Sequence, residues 1–113
     1  MSTAEWEALP ESVKTFMTAL DSREFDRALA TFASDAVVTD DGRDHAGTDE
    51  IRAWLATAVT EYTYTAEFAG ASTTTGGVDV GQHLEGDFPG GVVELNYRFT
   101  LDGAVIRRLV IEP

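Results

Sequence analysis

Cysteine is missing altogether, lysine occurs once, and no apolar run approaches the roughly 18 residues needed to cross a bilayer. The first absence removes disulfides, thiolate nucleophiles and cysteine-held zinc or iron–sulfur sites. Positive charge is also scarce: twenty acidic residues outnumber eight basic ones, giving a net charge of −12. Such a surface repels phosphate, which excludes nucleic acid as a partner and disfavours anionic membranes. The opening residues Met1 to Glu7 lack the basic and apolar regions of a signal peptide, so a cytoplasmic location is expected. No phosphate-cradling glycine-rich loop stands at a strand–helix junction, and no cofactor is implied.

What is present is an apolar share of 43% and an aromatic share of 10% in 113 residues, enough for one core in one domain spanning residues 1–113. Leu9, Val13, Phe16, Met17 and Leu20 recur at the spacing of one helical face, with Pro10 in the first turn, where its missing N–H costs nothing. A second stripe, Phe25, Ala28, Leu29 and Phe32, predicts another helix ending at Phe32. Ala36 to Thr39 is too short for a helix and β-branched enough for a strand. A polar loop from Asp41 to Ala46 then leads to a third helix, opened by Thr48 and faced by Ile51, Trp54, Leu55 and Ala58.

From Tyr62 onward the apolar period falls to two. Tyr62 to Phe68, Val78 to Leu84, Val93 to Leu101 and Ala104 to Ile111 read as four strands, the last pair joined by the hairpin signal Asp102-Gly103. The order is α-α-β-α-β-β-β-β, an α+β fold with three N-terminal helices packed in a curved antiparallel sheet. Leu20, Phe32, Ile51, Leu55, Leu95 and Leu109 are expected in its core.

The Phe32-Ala33-Ser34-Asp35-Ala36-Val37-Val38-Thr39-Asp40 junction and the Gly47-Thr48-x-x-Ile51-x-x-Trp54-Leu55 helix resemble the SnoaL-like branch of the nuclear transport factor 2-like superfamily. The resemblance runs from Leu9 to Ile111. It implies a cone in which a bent sheet wraps three helices around a pocket, and dimerisation through the outer sheet face. Val92, Val105 and Leu109 or their neighbours would form that homodimer contact. Asp40 falls where ketosteroid isomerase, a structural relative, keeps its general base. The other groups of that site do not carry over. Phe16, Leu55 and Leu95 stand where the relative has its oxygen-binding tyrosine, a supporting tyrosine and a protonated acid. An enolate formed here would lack those donors, so the relative's own reaction is not expected.

The residues leave two readings open. In one, a small apolar or polycyclic molecule binds an apolar conical pocket lined by Phe16, Trp54, Leu55, Leu95 and Tyr97. Asp40 then acts as the base of an acid–base isomerase or cyclase. In the other, the chain is a non-catalytic dimeric carrier or interaction module with a filled pocket. Arg108 alternates with Ile106 and Val110 and points either inward, toward Asp40 or a ligand, or outward to a nearby carboxylate. His83 is out of phase with Val80, Gln82 and Leu84 and is expected outside the sheet, while His45 in the polar loop is expected in solvent. Asp40, Asp41, Asp44 and His45 lack a metal-ligand spacing, so no metal site is assigned.

Overall fold

The computed structural model describes residues 2–57 and 61–113; Ala58 lies outside them. Strand β1 (Ser2–Ala4) and a single 3-10 turn (Trp6–Ala8) lead into helix α1 (Glu11–Asp21) and the short α2 (Phe25–Leu29). A hairpin of β2 (Phe32–Asp40) and β3 (Arg43–Ala46) precedes α3 (Gly47–Thr57). Four long strands follow: β4 (Tyr64–Thr74), β5 (Gly77–Gly86), β6 (Val92–Asp102) and β7 (Val105–Glu112). The seven strands form one sheet in the order β1-β4-β5-β6-β7-β2-β3. Neighbours are antiparallel except β2 and β7, whose parallel pairing makes the sheet mixed. The arrangement is α+β, a cone whose sheet wraps the helices.

The core lies between the helices and the inner face of this sheet. Val13, Phe16, Met17 and Leu20 of α1 and Ile51, Trp54 and Leu55 of α3 belong to one buried cluster with Val78, Val80, Phe99 and Leu109 of the sheet. Phe16 sits edge-on to both Phe32 and Phe99, at centroid distances of 5.4 and 5.7 Å. This is the separation at which aromatic pairs add to simple burial. Pro10 caps α1, and its carbonyl accepts the Val13 and Lys14 amides.

Local chemistry moves three boundaries away from the sequence expectation. Helix α2 stops at Leu29, not Phe32. The Thr31 hydroxyl donates to the Ala28 carbonyl, while the Thr31 carbonyl accepts the Ile106 amide, so the chain has already joined the sheet. Phe32 therefore packs from a strand and is half-buried. The segment expected as a polar loop contains β3, because Asp41 and Gly42 turn with φ of 54° and 74°. Two consecutive positive φ values define the type I′ turn favoured in two-residue hairpins, and Asp-Gly is among its preferred sequences.

The third change is in β7. Between Leu101 and Thr100 the register advances from Ile106 to Arg108, leaving Arg107 as a bulged extra residue. A one-residue slip exchanges the two faces of everything beyond it. Ile106 still points inward, but Leu109 and Ile111 follow it there, and Arg108 and Val110 are turned to the outer face. Leu109 is fully buried, which removes it from the set expected at a dimer contact. Leu95 is only half-buried, in contrast to the expected core position.

Candidate functional site

Asp40 ends β2 on the inner face, two residues after the fully buried Val38. Its Oδ2 accepts a hydrogen bond of 2.9 Å from Trp54 Nε1 on α3. Trp54 is only 2% exposed, so the donor is held by core packing and fixes the carboxylate in turn. Asp40 pairs across the sheet with Ile111, and Ile111 pairs with Tyr97. The three therefore form one row over adjacent strands. Two strand spacings put the Asp40 and Tyr97 backbones about 10 Å apart, with the space above Ile111 between them.

That space is a cavity of about 880 Å³. Leu20, Leu84, Leu95, Val93 and Ile111 supply apolar wall, and Trp54, Tyr62, Tyr64, Phe88 and Tyr97 supply aromatic wall. Asp40, Asp41, Arg43, His45, Glu61 and Glu112 bring the charged and titratable groups.

Two phenols stand out on the inside. Burial pushes the Tyr97 hydroxyl far above the ordinary tyrosine range, and Tyr64, Asp40 and Asp21 add to the effect. Tyr64 is raised in the same direction, again chiefly by burial. The guanidinium of Arg23, 5.3 Å from the Tyr64 ring centre, opposes that shift. Both phenols thus remain neutral donors across the physiological range.

Of the residues singled out from sequence, Asp40, Trp54, Leu95 and Tyr97 line this cavity together. Phe16 and Leu55 lie in the core behind it. Arg108, placed on the outer face by the β7 bulge, donates from Nη2 to Thr39 Oγ1 at 2.9 Å. Thr39 in turn donates to Asp44 Oδ1 at 2.6 Å. Arg108 is thus tied into a polar chain on the far side of the sheet from Asp40. The same hairpin register puts Asp44 and Asp40 on opposite faces. Among the described residues no three metal-ligating side chains come together. His83 faces outward between the Glu94 and Glu85 carboxylates, with Nε2 2.9 Å from Glu85 Oε2. Those two partners hold the imidazolium and raise its pKa.

Sequence reasoning missed His45, Arg43 and Tyr64 as wall residues. His45 is half-buried, with its ring centre 6.2 Å from that of Trp54. It reaches the cavity because β3 pairs Val38 with His45 and Asp40 with Arg43, side by side on the inner face. The Asp41-Gly42 dipeptide was the signal that could have revealed this hairpin.

No protein-family model and no curated protein matches the sequence. Solved structures do. A candidate polyketide cyclase from Sinorhizobium meliloti is 33% identical, with 96% of this chain and all (100%) of that one aligned at a TM-score of 0.90. This chain belongs to the nuclear transport factor 2-like superfamily. The SnoaL-like branch inferred from the junction and helix motifs is consistent with that membership.

More distant superfamily members share the fold. A protein from Catenulispora acidiphila with a ketosteroid isomerase-like fold, in complex with trimethylamine, is 18% identical. Its TM-score is 0.80, over 94% of this chain and 87% of that one. A Mycobacterium tuberculosis protein in complex with estradiol-17beta-hemisuccinate is 15% identical, with a TM-score of 0.73 over 90% of each chain. Among the described residues, no helix of this superfamily member is long and apolar enough to cross a membrane.

Proposed function

We propose that this protein is a SnoaL-like small-molecule-binding protein, an acid–base isomerase or cyclase in which Asp40 is the general base. The observation that carries the reading is the Asp40 carboxylate on the cavity wall, fixed at 2.9 Å by the buried Trp54 indole. A cavity of about 880 Å³ with mainly apolar and aromatic walls suits a polycyclic ligand, since pockets for drug-sized molecules measure roughly 300–1,000 Å³. Open space with several polar groups on its wall supports the enzyme over a module with a filled pocket. The complexes of the Catenulispora and Mycobacterium proteins, with trimethylamine and with a steroid ester, support small-molecule binding by this fold.

In the proposed step Asp40 accepts a proton from a carbon next to a carbonyl, and the C–H electron pair moves into the enolate. The proton then returns to carbon at the same or a conjugated position. His45 also lines the cavity. A positioned base contributes about 10²–10⁴-fold. The test is deuterium exchange into β-tetralone, a bicyclic ketone with an acidic C–H, followed by NMR. Wild type should catalyse exchange and Asp40→Asn should lose at least about 100-fold. Equal rates in the two proteins would remove Asp40 as the base and leave the non-catalytic carrier.

A homodimer through the outer sheet face belongs to the same proposal. Val92, 54% exposed, and the half-buried Val105 and Val110 on β6 and β7 support it. Sedimentation at micromolar concentration should give twice the chain mass, and a monomer there would contradict it.

A further inference from the structure

Among the described residues, the Tyr97 hydroxyl is the deeply buried polar group on the cavity wall that the fold does not use. Tyr97 is 4% exposed, yet its phenol has no hydrogen-bond partner among the described residues. No buried side-chain polar atom among those residues is sealed away unpaired, so this hydroxyl opens onto the cavity. Facing the cavity, it has only water to pair with until a bound ligand accepts its hydrogen bond in place of that water. Tyr64, also half-buried on the wall, presents a second phenol beside it.

The charges around the cavity then decide what kind of acceptor fits. Asp40, Asp41, Glu61 and Glu112 face it against one guanidinium, Arg43, within a chain of net charge −12. A ligand carboxylate or phosphate would enter this negative field at a loss; a ketone or hydroxyl oxygen would not. The wall is otherwise apolar, so the oxygen belongs to a hydrocarbon body.

We infer that Tyr97, with Tyr64 beside it, is the specificity-determining polar subsite, which selects an uncharged apolar ligand bearing a ketone or hydroxyl oxygen and rejects anionic analogues. This rests on the cavity being the ligand site, as proposed above. Neither tyrosine stands where the family resemblance places oxygen-binding groups, since those positions hold Phe16, Leu55 and Leu95. The ligand's polar end is accordingly anchored from β6, across Ile111 from Asp40. That leaves its neighbouring carbons spanning the gap toward the carboxylate.

Three probes of similar size separate the cases: tetralin, β-tetralone and tetralin carboxylate, each titrated by calorimetry into wild type and Tyr97→Phe. In wild type β-tetralone should bind about five- to tenfold tighter than tetralin, the value of one hydrogen bond, and the carboxylate should bind weakest. Tyr97→Phe, which keeps the ring, should erase the ketone's advantage and leave tetralin unchanged. A ketone preference that persists in Tyr97→Phe, equal binding of tetralin and β-tetralone, or a carboxylate that binds best would each overturn the subsite while leaving the cavity as a ligand site. Failure of all three probes to bind wild type would overturn both readings.

Discussion

Replacing Trp54 with phenylalanine removes the indole N–H that holds Asp40 while keeping an aromatic ring in the core. Two effects add. Trp54 is 2% exposed, and the lost ring volume costs about 1–2 kcal/mol, a fraction of the 3–5 typical of aromatic-to-alanine changes. The carboxylate also loses a charge-assisted hydrogen bond. Such bonds contribute about 1.5–3 kcal/mol, and since Asp40 is half-buried, with water as an alternative partner, about 1–2 is the appropriate share. Trp54→Phe should therefore destabilise by about 2–4 kcal/mol, a fall of roughly 8–16 °C in melting temperature for a chain of this size. A double-mutant cycle with Asp40→Ala isolates the contact, measured as urea midpoints at constant m-value. If the bond holds as described, the double mutant should be more stable than the two single costs imply, by about 1–2 kcal/mol. Additivity within about 0.5 kcal/mol would show that the indole and the carboxylate do not interact.

Other consequences follow from the packing and the turns. Leu109→Ala, at a fully buried position, should cost about 2–5 kcal/mol, whereas Leu95→Ala, on the cavity wall, should cost only about 1 and enlarge the cavity; equal denaturation midpoints for the two variants would contradict this placement. In Gly77→Ala the new Cβ would fall 1.8 Å from the Phe99 carbonyl oxygen, so β5 and β6 must part, with an expected loss of about 3 kcal/mol or more by thermal melting; a near-native melt would contradict that close approach. His83 is held charged by Glu94 and then Glu85. Its contribution to stability is complete below the unfolded value of about 6.5 and disappears as pH rises through the raised folded value. Melts at about pH 6 and pH 9 should show wild type losing more than His83→Gln over that interval, and parallel losses would show that the carboxylates do not hold the ring.

Much of this architecture could be read from residues alone. The helical stripes of α1 and α3, the strands from Tyr64 onward and the Asp102-Gly103 reversal follow from periodicity and turn chemistry, which act locally. The Phe32 to Asp40 junction and the Trp54 helix carry the family's signature, and Asp40 came with it. What eluded the sequence is set by pairing between distant segments. Arg108 was open to either face because alternation cannot register a bulge, and Arg107 occupies one only when β7 is laid against β6. Val38 and Asp40 bring His45 and Arg43 to the cavity through cross-strand pairing, although Asp41-Gly42 had already marked the turn. Tyr97 reads from sequence as an aromatic lining of an apolar pocket; that its hydroxyl has no partner among the described residues depends on everything packed around it. Phe16 shows the reverse case. Family position alone puts it on a pocket wall, but Phe32 and Phe99 close over it.

The central claim is that ligands enter the inner cavity beside Asp40. It is most directly tested by titrating β-tetralone into isotopically labelled protein and following the carboxyl and methyl resonances. Asp40, Leu84, Leu95 and Ile111, which line the cavity, should shift with the ligand, while the core Val13 and Val78 and the outward Val110 should not. Shifts confined to Val92 and Val110, with Asp40 and Leu95 unmoved, would place the ligand on the outer sheet face and contradict the account.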